Sequence, residues 1–355
     1  MAPSHDPLAA GSVTYGEIVQ QFDLWPNTLD RIIQWQTQNL LPRRPLITGA
    51  GSSAYAASAV SAALDGSFAT PTTDLLLDSS LIPAECDALI SVGRSGDSPE
   101  SLGVVHLIQR DHPSLRQLSI TCNGAGGLAN TTGLTPILLD PRTNDRGLAM
   151  TSSFSNMVLA GIALQHADDL VATAERLQAN AASLLSAAVE LARYRAHHAP
   201  SRVVVLGSNA LFPLAREAAL KITELTAGSV VAFAETFLGV RHGPMSFLRE
   251  DTVVLCFFSS NAATRRYEID LLRELDKKRL GTHLAIAAEG WLPADISFIP
   301  ALAPELSDKL RTPFEIVFAQ LFAFFLSVEL NMNPDDPSPS GVINRVVQGV
   351  RIYES

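Results

Sequence analysis

The chain has 355 residues, of which 47% are hydrophobic and 17% charged, with a formal net charge of −10. That length favours two domains over one, and the composition suits parallel sheets buried on both faces. No basic cluster interrupts the acidic balance, so nucleic-acid binding is not expected. An anionic small molecule stays open, because a few oriented N–H groups bind phosphate whatever the global charge.

The opening residues, MAPSHDPLAAGS, lack the basic start and apolar run of a signal peptide, and a cytoplasmic protein is expected. Next, TYGEIVQQFDLWPNTLDRIIQWQ reads as an amphipathic helix broken near Pro26. Then PLITGAGSSAYAASAVSAAL, from Pro45, reads as an apolar strand, a glycine turn and an alanine-rich helix. DALISVGRSGDSPESLGVVHLIQR repeats the strand–loop–helix pattern, RQLSITCN and TPILLD read as strands, and a long helix starts near MTSSFSNMVLAGIAL. Residues 171–198 read as a helical connector.

The pattern then recurs. RVVVLGSNALFPLAREAALKI matches the first unit, and DTVVLCFFSSNAATRRYEIDLLREL, THLAIAAE and ADISFIP follow in the same order. A long helix closes this half near RTPFEIVFAQLFAFF. Phe314–Leu330 is its most apolar stretch, but it carries Glu315, Gln320 and Glu329 and is short for a membrane span, so it reads as a buried helix. Gly49 and Gly207 lie about 160 positions apart, roughly one domain. The fold expected is α/β, two tandem doubly wound domains, each a parallel sheet flanked by helices. The expected boundaries are 1–44 for an N-terminal helical segment, 45–198 for the first domain with its connector, 199–332 for the second, and 333–355 for a tail of the kind that packs across a domain or a subunit. Cys86, Cys122 and Cys256 fit no zinc or redox spacing and read as reduced packing residues.

Chemistry is expected where loops leave the carboxyl ends of parallel strands. In the first half these are GAGSSAY, with Ser52 and Ser53, and GRSGDSPES, with Arg94, Ser95, Ser98 and Ser101. Hydroxyls and free N–H groups at helix starts suit a phosphate monoester. The plainer reading is helix capping, with Ser98 at the N-cap and Pro99 at N1. Two such loops on neighbouring strands favour the ligand reading. GAGSSA is not a dinucleotide fingerprint, since Ala54 stands where a third glycine belongs. In the second half, Lys221 and Glu224 are three apart and share a helical face, which by spacing alone describes a surface ion pair. The stretch leads to ETFLGVRHGP, bringing Glu235, Arg241 and His242 toward the same rim. A histidine on a Gly-Pro turn is a well-placed proton donor. No ligand cluster for a metal is visible, and no cofactor is expected.

These stretches together resemble the sugar isomerase (SIS) family, whose paired α/β domains bind phosphosugars. The carrying residues are GAGSSAY (49–55), VGRSGDSPES (92–101), AREAALKITELTAG (215–228) and ETFLGVRHGP (235–244). SPES, TCN, MTSS, ELTAG and SGVINRVVQGV look like its AgaS-type branch of galactosamine-6-phosphate deaminase/isomerases, also called tagatose-6-phosphate ketose/aldose isomerases. The resemblance covers nearly the whole chain. It implies that Ser52, Ser53, Ser95 and Ser98 hold the phosphate, that Glu224 moves a proton between C1 and C2, and that His242 assists ring opening. It also implies that Lys221 lies near the sugar, and that a homodimer shares its sites between subunits. Arg94, Glu235 and Arg241 are further candidate contacts. Glucosamine-6-phosphate synthases of the family add an N-terminal glutaminase, which the 44 residues before Pro45 do not accommodate, and end in a lysine, which RIYES lacks. Met245 follows the HGP turn where that branch commonly has lysine. The expected activity is an amino-sugar-phosphate deaminase/isomerase. A fructosamine-6-phosphate deglycase and a non-catalytic phosphosugar-binding regulator are the alternatives.

Overall fold

The computed structural model describes residues 12–338, 340–341, 343–347 and 349–353. Most of the opening segment and the last two residues of RIYES lie outside the described residues. Among the described residues the chain forms two compact units. The first, Gly16–Ala181, also includes the described residues from 340 on. The second comprises 182–338 with 12–15. The expected connector is thus divided at Ala181, and the expected N-terminal segment and tail are distributed between the units.

The elements in chain order begin with α1 (Val13–Val19) and α2 (Gln21–Gln36). They continue with β1 (Pro45–Thr48), α3 (Ser52–Ala63), β2 (Phe68–Ala69), α4 (Thr72–Leu77), β3 (Ala88–Gly93) and α5 (Pro99–Asp111). Then come β4 (Arg116–Thr121), α6 (Gly127–Asn130), β5 (Leu134–Leu138), α7 (Ser152–Ala179) and α8 (Ala181–Ala196). The second repeat has β6 (Arg202–Gly207), α9 (Phe212–Leu225), β7 (Val231–Glu235), β8 (Val253–Phe257), α10 (Ala262–Lys278), β9 (Thr282–Ala287), β10 (Phe298–Pro300) and α11 (Asp308–Glu329).

The first sheet has the order β2-β1-β3-β4-β5 and the second β7-β6-β8-β9-β10, with every pairing parallel. The two orders are the same topology, so the repeat read from the sequence is structural. The central strands explain themselves. Leu46, Ile47, Leu89, Ile90, Val203–Val205 and Val254–Phe257 are fully buried, as β-branched and apolar runs must be when helices cover both faces. In a sheet of this order the chain reverses its direction of winding between the first and third strands. A crevice opens there beyond the carboxyl ends, between β1 and β3 and again between β6 and β8.

Pro26 does not break α2. The helix runs through it, and the interruption falls at Gln20 instead. A proline inside a helix costs about 3 kcal/mol. Phe22 and Trp25 before it, and Leu29 and Ile32 after it, are all buried, so breaking the helix there would split one apolar face. That face packs on α7, where Trp25 Nε1 donates to Ser155 Oγ at 3.2 Å and Thr28 Oγ1 to Asn156 Oδ1 at 2.7 Å.

Among the described residues, α11 alone is long and apolar enough to cross a membrane, but 89% of its most apolar window is buried inside the protein. Arg311 and Glu315 are carried in that interior as an ion pair. Cys122 and Cys256 are buried, and desolvation pushes the Cys122 thiol up to about 12, which leaves it an unreactive packing group.

Candidate active site

The first unit supplies the serine loops. Thr48 at the end of β1 pairs with Ser91 of β3, so GAGSSAY and GRSGDSP leave adjacent strands on either side of the β1/β3 crevice. Ser52 and Ser53 occupy the first turn of α3, and both are about 5% exposed. Ser98 is the N-cap of α5 with Pro99 next, as the capping reading requires, but its side chain caps no backbone N–H. Its hydroxyl donates instead to Glu100 at 2.7 Å. The first turn of α5 thus carries the Glu100 carboxylate, while its backbone N–H groups take no bond from the Ser98 side chain. Ser95 Oγ accepts the Asp97 N–H at 3.2 Å.

Several groups hold this loop in shape. Gly96 has φ +71°, and a Cβ there would meet Thr121 Oγ1 at 3.2 Å and Leu128 at 3.3 Å, so the turn needs glycine. Asn123 donates to the Ser95 carbonyl at 2.8 Å, and Asp97 accepts the Gly127 N–H at 2.8 Å. Arg94, a candidate substrate contact, is buried, and its guanidinium donates to the carbonyls of Gly147, Leu148 and Arg345 at 2.8–3.2 Å. Arg345 in turn donates to Asn144 and to the Asp145 carbonyl. These bonds fasten Arg345 of the tail to the same unit.

Beneath them, Asp145 is fully buried. It accepts the N–H groups of Thr151 and Ser153 at 2.7 and 2.9 Å, and the hydroxyls of Ser152 and Ser153 as well. The MTSS stretch is thus organised by a carboxylate that sequence reading passed over. Its only signal was an aspartate beside Arg146, six residues before Thr151. Glu17 is a second such group. Desolvation and the nearby Asp145 charge push it up to about 7, against the pull of the Arg146 and Gly147 N–H groups.

The second unit supplies charge. On α9, Lys221 is completely buried, with Nζ 3.3 Å from Glu217 Oε1 and bonded to Glu224 Oε2. The reading of Lys221–Glu224 as a surface pair is overturned. α9 packs against α11 and β7, and i,i+4 spacing brings in Glu217, which sequence reading had not singled out. Burial alone would lower the lysine's pKa, but Glu217 and Glu224 together outweigh it and hold the ammonium above its ordinary value. Glu224 alone of the three reaches solvent, with 28% of its side chain exposed.

Glu235 ends β7 and accepts the Thr236 N–H at 2.7 Å. Arg241 is engaged by α10, with Nε 2.7 Å from Glu274 and a terminal nitrogen 2.8 Å from Asp270. His242 is exposed on the link between two single-turn helical segments, Gly239–Arg241 and Pro244–Phe247. Gly243 between them has φ +122°, a conformation that L side chains rarely adopt, and Pro244 cannot continue a helical ladder. Gly243 lets the chain take this turn, and Pro244 fixes φ just after it. Among the described residues, no group of His, Cys, Asp and Glu is arranged to hold a metal ion.

No family model matches the chain. Known proteins do. Over an alignment that covers 96% of its own length and 95% of the relative's, it is 38% identical to a Streptomyces coelicolor protein assigned as D-galactosamine-6-phosphate deaminase AgaS. It is 36% identical, over 99% of both chains, to the D-galactosamine-6-phosphate deaminase AgaS of Escherichia coli O157:H7. A Clostridium novyi crystal structure, assigned as a tagatose-6-phosphate ketose/aldose isomerase, superposes with a TM-score of 0.85 at 32% identity, covering 97% of this chain and 95% of that one. The chain shares its tandem parallel sheets with proteins named as phosphosugar enzymes. The chain belongs to the sugar isomerase (SIS) family, in its AgaS group.

Proposed function

We propose that this protein converts galactosamine 6-phosphate and water to tagatose 6-phosphate and ammonia. The observation that carries this reading is near-full-length identity of 36–38% to proteins named for that deamination. The distribution of side chains in each unit supports it. Hydroxyls and an uncapped helix end suit the phosphate, and a partly exposed carboxylate held by a buried ammonium suits proton transfer.

In this reading Ser52, Ser53, Ser95 and Ser98 hold the phosphate, and His242 passes a proton during ring opening. Glu224 takes the C2 proton of the open aldehyde and delivers it to C1. The electrons of the C2–H bond form the C1–C2 enaminol, which collapses to a C2 imine with C1 reduced to an alcohol. Water adds to the imine, and ammonia leaves. Lys221, with no exposed surface, orients Glu224 rather than meeting the sugar. Arg94, Glu235 and Arg241 act on loop shape through the partners described above. A cytoplasmic homodimer with the histidine turn reaching a neighbouring copy belongs to the same reading, and its support is the resemblance to SIS enzymes.

The test follows ammonia and ketose together on galactosamine 6-phosphate and glucosamine 6-phosphate. Equimolar ammonia and tagatose 6-phosphate from the galacto substrate is the expected result. Ketose formation from plain aldose phosphates with no ammonia from either hexosamine would overturn deamination.

The serine assignment has its own check. Ser53→Ala and Ser98→Ala each remove a hydrogen bond to a charged group, worth about 1.5–3 kcal/mol. Each is expected to raise KM by roughly ten- to a hundredfold at little changed kcat. A loss confined to kcat would place the phosphate elsewhere.

A further inference from the structure

The second sheet has a switch-point crevice of its own, and none of the residues assigned above lies in it. It has a volume of about 390 Å³ and is lined by Ser208 and Asn209 after β6, Thr236 after β7, and Thr264, Tyr267 and Glu268 on α10. In the first unit the loop after the corresponding strand leaves its helix uncapped. Here the same donors are already used. Asp308 accepts the Ser260 N–H at 2.7 Å and the Ser259 hydroxyl, and Asn261 Oδ1 accepts the N–H groups of Ala263 and Thr264 at 2.9 and 3.2 Å. No Lys, Arg or His is among the lining residues. The neighbouring Arg265 lies over the Trp291 ring and donates to the Ser259 and Ser260 carbonyls. A phosphate would meet the Glu268 carboxylate here and no cation among the lining residues.

One lining group has an oxygen without a partner of ordinary geometry. Glu268 is 1% exposed. Its Oε2 accepts the Ser259 N–H at 2.8 Å, but Oε1 has no hydrogen-bond partner of ordinary geometry among the described residues. Desolvation pushes this carboxyl up to about 7, while the Ser259 N–H and the Ser208 hydroxyl favour its charged form. A buried carboxylate oxygen without a donor costs free energy that an incoming donor recovers. Tyr267, 61% exposed, offers an aromatic face to a cation or to the C–H face of a ring.

We propose that this crevice is a second ligand site, selective for a small polyhydroxylated molecule that carries a protonated amine and no phosphate. The ammonium donates to Glu268 Oε1. The ring hydroxyls exchange hydrogen bonds with Ser208, Asn209, Thr236 and Thr264. The front loops sort for anions and this one against them.

The experiment is calorimetric titration of the full chain with unphosphorylated galactosamine, galactose and inorganic phosphate. Three variants accompany wild type: Glu268→Gln; Ala263→Trp, which fills the crevice from an exposed lining position; and Ser53→Ala/Ser98→Ala, which weakens the front loops. Galactosamine is expected to bind wild type and the front-loop variant equally. Galactose should bind about tenfold more weakly, as should galactosamine to Glu268→Gln, since a charged hydrogen bond is lost in each case. Ala263→Trp should abolish galactosamine binding while keeping phosphosugar turnover, which also reports its folding. The proposal is overturned if galactosamine gives no binding, if inorganic phosphate competes with it, if the front-loop variant loses it, or if Ala263→Trp binds like wild type.

Discussion

Glu224→Gln is expected to lower kcat by roughly a hundredfold or more, with KM for the phosphosugar little changed. The amide keeps the shape of the side chain and removes the basic oxygen. The geometry makes this a clean test. Glu224 is the partly exposed member of a cluster whose other two members, Glu217 and Lys221, are sealed from solvent. Loss of its charge leaves Lys221 paired with Glu217, so the fold keeps its buried ion pair. A glutamine accepting from the same ammonium holds the same rotamer. Stopped or steady-state turnover on galactosamine 6-phosphate reads the effect, and a thermal melt close to wild type excludes unfolding as its cause. Full activity in Glu224→Gln would remove Glu224 as the proton carrier and with it the proposed C2-to-C1 transfer.

Much of this site was legible before any coordinates. Strand–glycine–serine–helix is a local signal, because the turn geometry, the helix start and the apolar strand are all written in consecutive residues. That is why GAGSSAY, GRSGDSP and the Gly243–Pro244 turn could be placed, and why the 160-residue repeat announced two sheets. What failed was set by contacts far apart in sequence. Lys221 looks like a surface residue because helix periodicity does not reveal that α11, about 90 residues downstream, covers that face. Arg241 looked free for a substrate because its partners Asp270 and Glu274 sit on α10. Arg94 was a candidate substrate contact, and its guanidinium reaches three backbone carbonyls, one of them from the tail. Pro26 looked like a break because local propensity was weighed without the apolar face on either side of it. For Arg241 and Arg94 a partner more than twenty-five positions away decided the use of the side chain.

Lys221→Met is expected to destabilise the protein by about 3–5 kcal/mol, the cost of leaving a buried charge without its counter-ion. The charge left behind is that of Glu217, whose side chain is fully buried, since Glu224 can turn to solvent. In wild type the lysine's pKa is raised in the fold. Its contribution is therefore fully present below its unfolded value near 10.5 and fades only as pH rises through the higher folded value. In Lys221→Met the dependence moves to the acid side. A desolvated Glu217 that has lost the Lys221 ammonium takes up a proton in the fold more readily than in the unfolded chain. The deficit should therefore be small near pH 4 and grow as pH rises above the ordinary carboxyl range. Denaturant melts of wild type and variant across pH 4–8 measure it. The double variant Glu217→Leu/Lys221→Met removes both charges and should recover most of the loss, because apolar replacement of a whole buried pair is often close to neutral. Recovered stability without recovered activity would separate the two uses of the cluster, since the same double variant leaves Glu224 with no ammonium to hold it in place. A Lys221→Met protein as stable as wild type at pH 8 would mean that Glu217 was never charged in the fold, and that Lys221 and Glu224 form the only ion pair on α9's buried face.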